Sequence, residues 1–428
     1  MNNKVKNAWA FYDWANSVYP LVITSTIFPI YYESITRTAD SDLVTFLGIQ
    51  IKNTSLYTYS LSFAYLVIAL FSPLLSGIAD SGGSKKRFMQ FFCYLGALSC
   101  ASLYFFTPGN LNLGIFLVVS ACIGYSGSIV FYNAYLPEVA LVQEQDNLSA
   151  KGFALGYIGS SILLIFNLTM ILMPEFYGGI SKSMASRISF LTTGIWWIVF
   201  AQYSFWYLPS KSSKNKLGEQ GIIKGYQELK NVWNKLKQIP ALTRYLLAFF
   251  VYNMGVQTVM LVATLFGKKE IGMEAGELIT TILIIQFIAV AGAFLFSFAS
   301  SRIGNIKTLQ MATLIWILVC ITAYFVTSAF QFYFLAVVVG LVMGGIQALS
   351  RSTYSKMLPK NIEHASFFSF YDVCEKFGIV LGMALFGILD QVFDSMRVPV
   401  IALILFFLVG FILLFRVKKV DYKSESII

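Results

Sequence analysis

Histidine occurs once in these 428 residues, and charged side chains make up only 12% of them. That single residue, His364, stands in a connecting loop beside Glu363, so neither a histidine-based metal site nor a Ser-His-Asp triad can be assembled. Cysteine is nearly as scarce. Cys93, Cys100, Cys122, Cys320 and Cys374 all fall within apolar segments, far from any metal-ligand spacing, and read as small packing residues. A phosphate-binding loop is also missing: Gly82-Gly83-Ser84-Lys85 lacks the required spacing and follows an apolar run rather than a strand. These gaps exclude an ATP-driven machine and leave no basis for an enzyme, a metal or a cofactor. Lys4 and Lys6 lead straight into an apolar run without a small-residue cleavage site, so no cleavable leader is expected.

What the chain has in quantity is apolar length: 57% of residues are hydrophobic and mean hydropathy is +0.70. Crossing hydrocarbon takes about 20 mostly apolar residues as a helix, because backbone groups there find partners only within the segment. Such runs recur twelve times, near 8–32, 57–79, 88–107, 111–135, 152–173, 186–208, 242–266, 277–299, 308–328, 331–350, 366–389 and 397–416. The two termini and the 2–3, 4–5, 6–7, 8–9 and 10–11 connections hold 23 of the 31 Lys and Arg, the opposite connections hold 7, and Lys376 lies within a span. Acids divide evenly, 9 against 9, with 3 in spans. A bias confined to basic residues is the positive-inside signature, and it predicts a multi-pass protein of the plasma membrane with both termini cytoplasmic. The net charge of +10 then belongs to inner loops facing anionic membrane lipid and requires no nucleic acid.

Between Trp206 and Pro240 the apolar pattern stops and lysines take over, which divides the chain into 1–208, a basic linker 209–241, and 242–428. Within the linker Ile222, Tyr226, Leu229, Trp233 and Leu236 recur at steps of three and four, predicting an amphipathic helix on the inner membrane surface. The two six-span parts also correspond in detail. Gly77-Ile-Ala-Asp80-Ser-Gly-Gly83-Ser-Lys85-Lys86 matches Ser301-Arg302-Ile-Gly304-Asn-Ile-Lys307, with Ser301 in place of the aspartate. Tyr12-Asp13-Trp14 in span one matches Tyr252-Asn253-Met254 in span seven, and Tyr135-Leu136-Pro137 matches Met357-Leu358-Pro359. A duplicated six-helix unit places a solute site where the halves meet, near mid-membrane.

The Gly77 to Lys86 loop resembles the 2–3 loop signature of the major facilitator superfamily, with Ser81 in place of its usual Arg. Ala10-Phe-Tyr-Asp13-Trp14-Ala-Asn16-Ser17 resembles the opening signature of the vacuole-effluxer branch, the autophagy-related amino-acid exporters and their bacterial relatives. Gly152-Phe-Ala-Leu-Gly156-Tyr157-Ile-Gly159-Ser160 and Gly344-Gly345-Ile-Gln347-Ala-Leu-Ser350-Arg351-Ser352 carry the resemblance through nearly the whole chain. Met254 departs from it, standing where an acid is expected beside Tyr252-Asn253. The resemblance implies an all-α integral membrane protein of twelve transmembrane helices, a major facilitator fold of two pseudo-symmetric halves, and export of amino acids.

A charge within a span costs at least about 2.5–3.5 kcal/mol unless it is paired or faces water. Asp13, Asp372 and Glu375 are therefore the proton-coupling candidates. Lys376 lies one turn beyond Asp372 and can neutralise it, which leaves Asp13 and Glu375 without a partner in sequence. Asn16, Tyr19, Asn253, Gln257, Gln286 and Gln347 fall within a few turns of mid-membrane, with Tyr125 from span four. Such amides and phenols can hold both ends of a zwitterion without fixed charge; the competing reading is interhelical hydrogen bonding at about 0.6 kcal/mol each. Gly77, Asp80, Gly83, Lys85 and Lys86, with Arg351 at the inner end of span ten, read as gating residues, because an acid followed by a basic cluster can tie helix ends in one state and release them in another. Arg351 and Arg187 also fit the role of snorkelling or loop-pinning cations. Gly152, Gly156, Gly159, Gly340, Gly344, Gly378 and Gly382 read as close helix contacts. Together these features predict a monomeric carrier of a small polar solute, amino acids first, working by alternating access on a gradient. A receptor without flux and a carrier of an amphiphile are the alternatives.

Overall fold

The structure, a computed structural model, describes residues 2–37, 41, 43–81, 84–210, 221–359, 364–393 and 395–417. Its helices are α1 (Asn3–Asn16), α2 (Ile27–Thr36), α3 (Asn53–Ser81), α4 (Lys85–Ser102), α5 (Leu111–Asn133), the short α6 (Leu136–Val139), α7 (Gln145–Leu172), α8 (Lys182–Tyr207), α9 (Gly221–Gln238), α10 (Pro240–Phe266), α11 (Ala275–Ile303), α12 (Asn305–Phe325), α13 (Ala329–Met357), α14 (Ala365–Phe393) and α15 (Arg397–Phe415). Eleven helical segments among the described residues are long and apolar enough to cross a membrane. The first of the twelve expected spans is built differently: α1, a π-helical stretch Tyr19–Thr26 and α2 run on from one another. Pro20 has no N–H to give the carbonyl of Asn16, so the regular ladder is interrupted there and the turn widens. Large side chains such as Leu70, Phe91, Leu98, Phe298, Leu318 and Leu405 face outward, as lipid contact requires.

Between α2 and α3 lies a hairpin that the reading of apolar runs cannot register, since its strands are four residues each. β1 (Leu43–Phe46) pairs antiparallel with β2 (Ile49–Lys52), Leu43 opposite Lys52 and Phe46 opposite Ile49. Leu47 and Gly48 turn it with φ of 48° and 84°, the left-handed pair whose twist matches a two-residue hairpin.

Helix packing repeats in order. In the first six spans α1 packs on α7 and α8, α3 on α5, and α4 on α5 and α8; in the second six α10 packs on α14 and α15, α11 on α13, and α12 on α13 and α15. Each pairing has its counterpart six spans later. The sets meet where α7 packs on α11 and α13, and where α14 packs on α3 and α5. The tightest approach is α11 on α13: a Cβ on Gly344 would lie 2.1 Å from the carbonyl oxygen of Ala289, and one on Gly292 2.1 Å from that of Leu341. Small residues let backbones touch, which is how helices associate where water supplies no driving force. Lys6 to Glu144 at 2.6 Å and the Arg244 to Arg416 carbonyl bond at 3.3 Å gather the start of α1, the start of α7, the start of α10 and the end of α15 on one side, the terminal face.

The linker carries helix α9. α9 packs along α3 and touches α10 and α14, with Val232 and Leu236 buried, so part of its apolar face seals against the protein rather than against lipid. Trp233 is half exposed and stacks on Phe370 at 5.8 Å. The side chains of Ile222, Tyr226 and Leu229 lie outside the described residues.

Candidate functional site

A cavity of about 240 Å³ opens between the two helix sets. The π-helical stretch brings Tyr19, Pro20, Thr24 and Ser25 to its wall, α5 brings Tyr125, α10 brings Asn253 and Gln257, α11 Gln286, α13 Gln347, and α14 Glu375 and Lys376. Six of the seven polar residues expected at a solute site thus share one cavity. Asn16 does not line it. Its side chain is buried, with neither amide atom hydrogen bonded, just below the Pro20 break. Within the wall Tyr157 donates to Gln347 Oε1 at 2.5 Å, Gln347 approaches Met260 Sδ at 3.4 Å, and Gln257 donates to Glu375 Oε1 at 3.3 Å. Tyr19 stacks on Tyr125 with ring centroids 4.9 Å apart, and Gln286 Oε1 has no hydrogen-bond partner. With Asn253 Nδ2 also lacking a partner, the cavity can accept a polar solute at these two amides at little cost in broken bonds.

The three acids part company here. Asp13, unpaired in sequence, is paired in space: Arg351 Nη1 and Nη2 both donate to its Oδ2 at 3.1 Å and the Tyr132 hydroxyl donates at 2.8 Å. Asp372 is buried behind the wall, 3.4 Å from Lys376, as the one-turn spacing predicts. Glu375 lines the cavity, its side chain 22% exposed, and its Oε2 lies 3.7 Å from Lys376.

Arg351 is no snorkelling cation at a helix end. It sits six residues inside α13, buried, and reaches wholly into the first helix set: Ser149 accepts from its Nε at 2.9 Å and from Nη2 through the backbone at 3.0 Å. The rings of Phe153, Trp9 and Tyr132 surround its guanidinium at 4.1, 4.8 and 5.4 Å. Gly152 leaves the room for this, since a Cβ there would lie 2.5 Å from the Asp13 carboxylate. The arrangement is a floor that closes the cavity toward the terminal face.

Below that floor lies a second closure, made by Asp80, which the sequence reading named as a gating residue, and by Asp146, which it missed. Asp146, in the first turn of α7, accepts from Ser300 at 2.8 Å, Asn305 at 2.8 Å, Ser352 at 2.7 Å and Lys356 at 2.5 Å, all from the second helix set. Asp80, at the end of α3, accepts the backbone N–H groups of Ala365 at 3.3 Å and Ser366 at 2.7 Å, the orphan donors at the start of α14. The basic residues after Asp80 turn back to their own half instead: Lys85 pairs with Glu138, and Lys86 donates to the Leu208 carbonyl at 3.0 Å. Glu138 in turn lies 3.7 Å from His364 across the interface. Gly77 is buried within α3, while Gly83 lies outside the described residues. On the opposite face Arg187 pins a connection, donating to the Tyr104 carbonyl and lying over that ring at 4.9 Å. Lys376, Tyr65 and Tyr157 are wall residues that mid-span depth alone did not single out.

Comparison with known proteins places these features in a lineage. The model of the family described as "Vacuole effluxer Atg22 like" matches residues 1–143 and 138–425. The chain is 34% identical to the MFS-type transporter YxiO of Bacillus subtilis (strain 168), over 96% of this chain and 94% of that one. It is 23% identical to autophagy-related protein 22 of Yarrowia lipolytica (strain CLIB 122 / E 150), over 92% and 81%. Among solved structures it is similar to the major facilitator transporter FucP in an outward conformation (TM-score 0.68, 16% identity, 98% of this chain and 99% of that one) and to the human organic anion transporter MFSD10 (TM-score 0.70, 12% identity, 97% and 100%). Twelve-span packing, the duplicated pairings and these matches agree: the chain is a multi-pass membrane transporter and not an enzyme, and it belongs to the Atg22-like vacuole-effluxer family of the major facilitator superfamily.

Proposed function

We propose that this protein is a secondary transporter that exports amino acids by alternating access, as a monomer, across the plasma membrane. The observation that carries this reading is the cavity between the helix sets, lined by Tyr19, Tyr125, Asn253, Gln257, Gln286 and Gln347 above a floor made by Asp13 and Arg351. Its volume of about 240 Å³ is ample for a small polar solute. The family's relatives bear the name effluxer, and the direction of transport is taken from them. The charge count makes the terminal face the cytoplasmic one and the units 1–208 and 242–428 the two moving halves, joined by a linker whose Lys230, Lys235 and Lys237 face lipid phosphates. Opening toward the cytoplasm then requires the Asp13, Asp146 and Asp80 contacts to part together. Glu375, the acid on the cavity wall that is free of the floor, is the proton carrier.

Counterflow in proteoliposomes tests the reading. Vesicles loaded with one unlabelled amino acid at millimolar concentration should accumulate its labelled form when they contain the protein and not when they are empty. If none of the twenty amino acids exchanges, the amino-acid reading is wrong. Binding seen by thermal shift without any exchange would instead mark a receptor.

A further inference from the structure

A lysine deep inside a membrane helix is costly unless something uses it. Lys376 is 4% exposed, and its ammonium lies 3.4 Å from Asp372 Oδ1, 3.7 Å from Glu375 Oε2 and 5.9 Å from the centre of the Tyr65 ring. Both ionic distances exceed the 2.7–2.9 Å of a tight charge-assisted hydrogen bond. Neither Asp372 oxygen is hydrogen bonded. An ammonium has three donors, so this one is held loosely between two acids and retains capacity for a third. Were neutralising Asp372 its whole purpose, it would have no reason to stand on the cavity wall beside Glu375, where both residues are found. Adjacent positions on one helix therefore present opposite charges to the same cavity.

We infer that Lys376 and Glu375 are the two poles of a head-group site for a zwitterion, Lys376 taking the carboxylate and Glu375 the ammonium. The inference rests on the amino-acid reading above and adds the orientation of the solute and the residues that demand both charges. Gln257 completes the acidic pole: its amide nitrogen faces Glu375 at 3.3 Å, which leaves its carbonyl oxygen to accept from the solute ammonium. The charged and titratable groups around Glu375 are Lys376, Asp372 and Tyr371 on its own helix, Tyr65 on α3 and Tyr125 on α5, with Asp13 and Arg351 engaged with each other on the floor.

The test uses the purified full-length chain and measures binding of each of the twenty amino acids, then of the decarboxylated amine and the deaminated acid of the tightest binder. Wild type should favour the amino acid over its amine by about tenfold or more, the worth of one charged hydrogen bond. Lys376→Gln combined with Asp372→Asn, so that no buried acid is stranded, should reduce this preference to about threefold or less while amine binding persists. Lys376→Arg should keep the preference, and so should Asp372→Asn alone. Glu375→Gln should weaken binding of the amine by about tenfold or more while the deaminated acid still binds, and an unchanged amine affinity overturns the assignment of Glu375. Undiminished preference in the double variant, or its loss in Asp372→Asn alone, overturns the assignment of Lys376 while leaving amino-acid transport intact. If no amino acid binds wild type, the reading of function fails and the head-group site falls with it.

Discussion

Removing one member of the Asp13–Arg351 pair strands the other among buried side chains, and such a loss costs about 3–5 kcal/mol. Asp13→Asn and Arg351→Gln should each lower the thermal midpoint of the purified protein, and the double variant should lose less than the two single losses combined; strict additivity would show that the pair is not coupled. Glu375→Gln should behave differently, abolishing accumulation driven by a pH gradient and weakening counterflow as well, because the same carboxylate lines the solute cavity. Full accumulation in that variant would remove Glu375 from the coupling. At this scale the sequence was informative about composition and silent about partners. Mid-span depth was enough to pick out Tyr19, Tyr125, Asn253, Gln257, Gln286 and Gln347, because a polar side chain at that depth has few places to go other than a cavity. The same criterion also picked out Asn16, which is buried beneath the Pro20 break, since depth does not say which way a side chain points. Asp13 and Arg351 lie 338 positions apart, and no local pattern in either segment encodes the other.

Helix ends carry the closure toward the terminal face, and the two halves build it from opposite partners. In one latch the acid sits at the end of α3 and meets the start of α14; in the other it sits at the start of α7 and meets Ser300 near the end of α11. The aspartate that Ser301 replaces in the repeated loop thus has its counterpart on the facing helix, as Asp146, and for that reason comparing the two loops could not find it. Asp146→Ala should bias the protein toward opening on the terminal face. In a Cys-free background carrying Asn133→Cys, on the cavity wall at the end of α5, labelling from that face should quicken about fivefold or more, the lower end of ordinary coupling energies; an unchanged rate would deny Asp146 a gating role. Asp80→Asn should alter the rate of conformational exchange more than it weakens solute binding, because the latch lies away from the cavity; a normal transport rate with lost affinity would contradict that. Apolar runs made most ends of the long helices legible to within about five residues, but α7 begins at Gln145 rather than near 152 and α13 runs on to Met357 rather than ending near 350, because polar residues that pack between helices carry no apolar signal. The π-helical stretch and the hairpin were not, because one depends on a single proline and the other on strands shorter than any periodicity can register.

At the scale of the whole molecule the loop charges make a prediction that packing cannot. Position Lys230, changed to Cys in a Cys-free background, should react with an impermeant reagent only after the cytoplasmic side is opened, and Ser41→Cys should react from outside; the reverse pattern would invert the topology. The halves are similar in how they pack, yet they are not made at the same time. Chains emerge from the ribosome at about 5–20 residues per second, so Asp13 enters the membrane about 17–70 s before Arg351 exists to neutralise it. Throughout that interval the first span holds an acid without its cation, with Tyr132 the donor that the first half supplies to it. Residues 1–208 synthesised alone therefore never complete their own floor. The nascent chain is a partial protein awaiting a distant cation until the tenth span arrives.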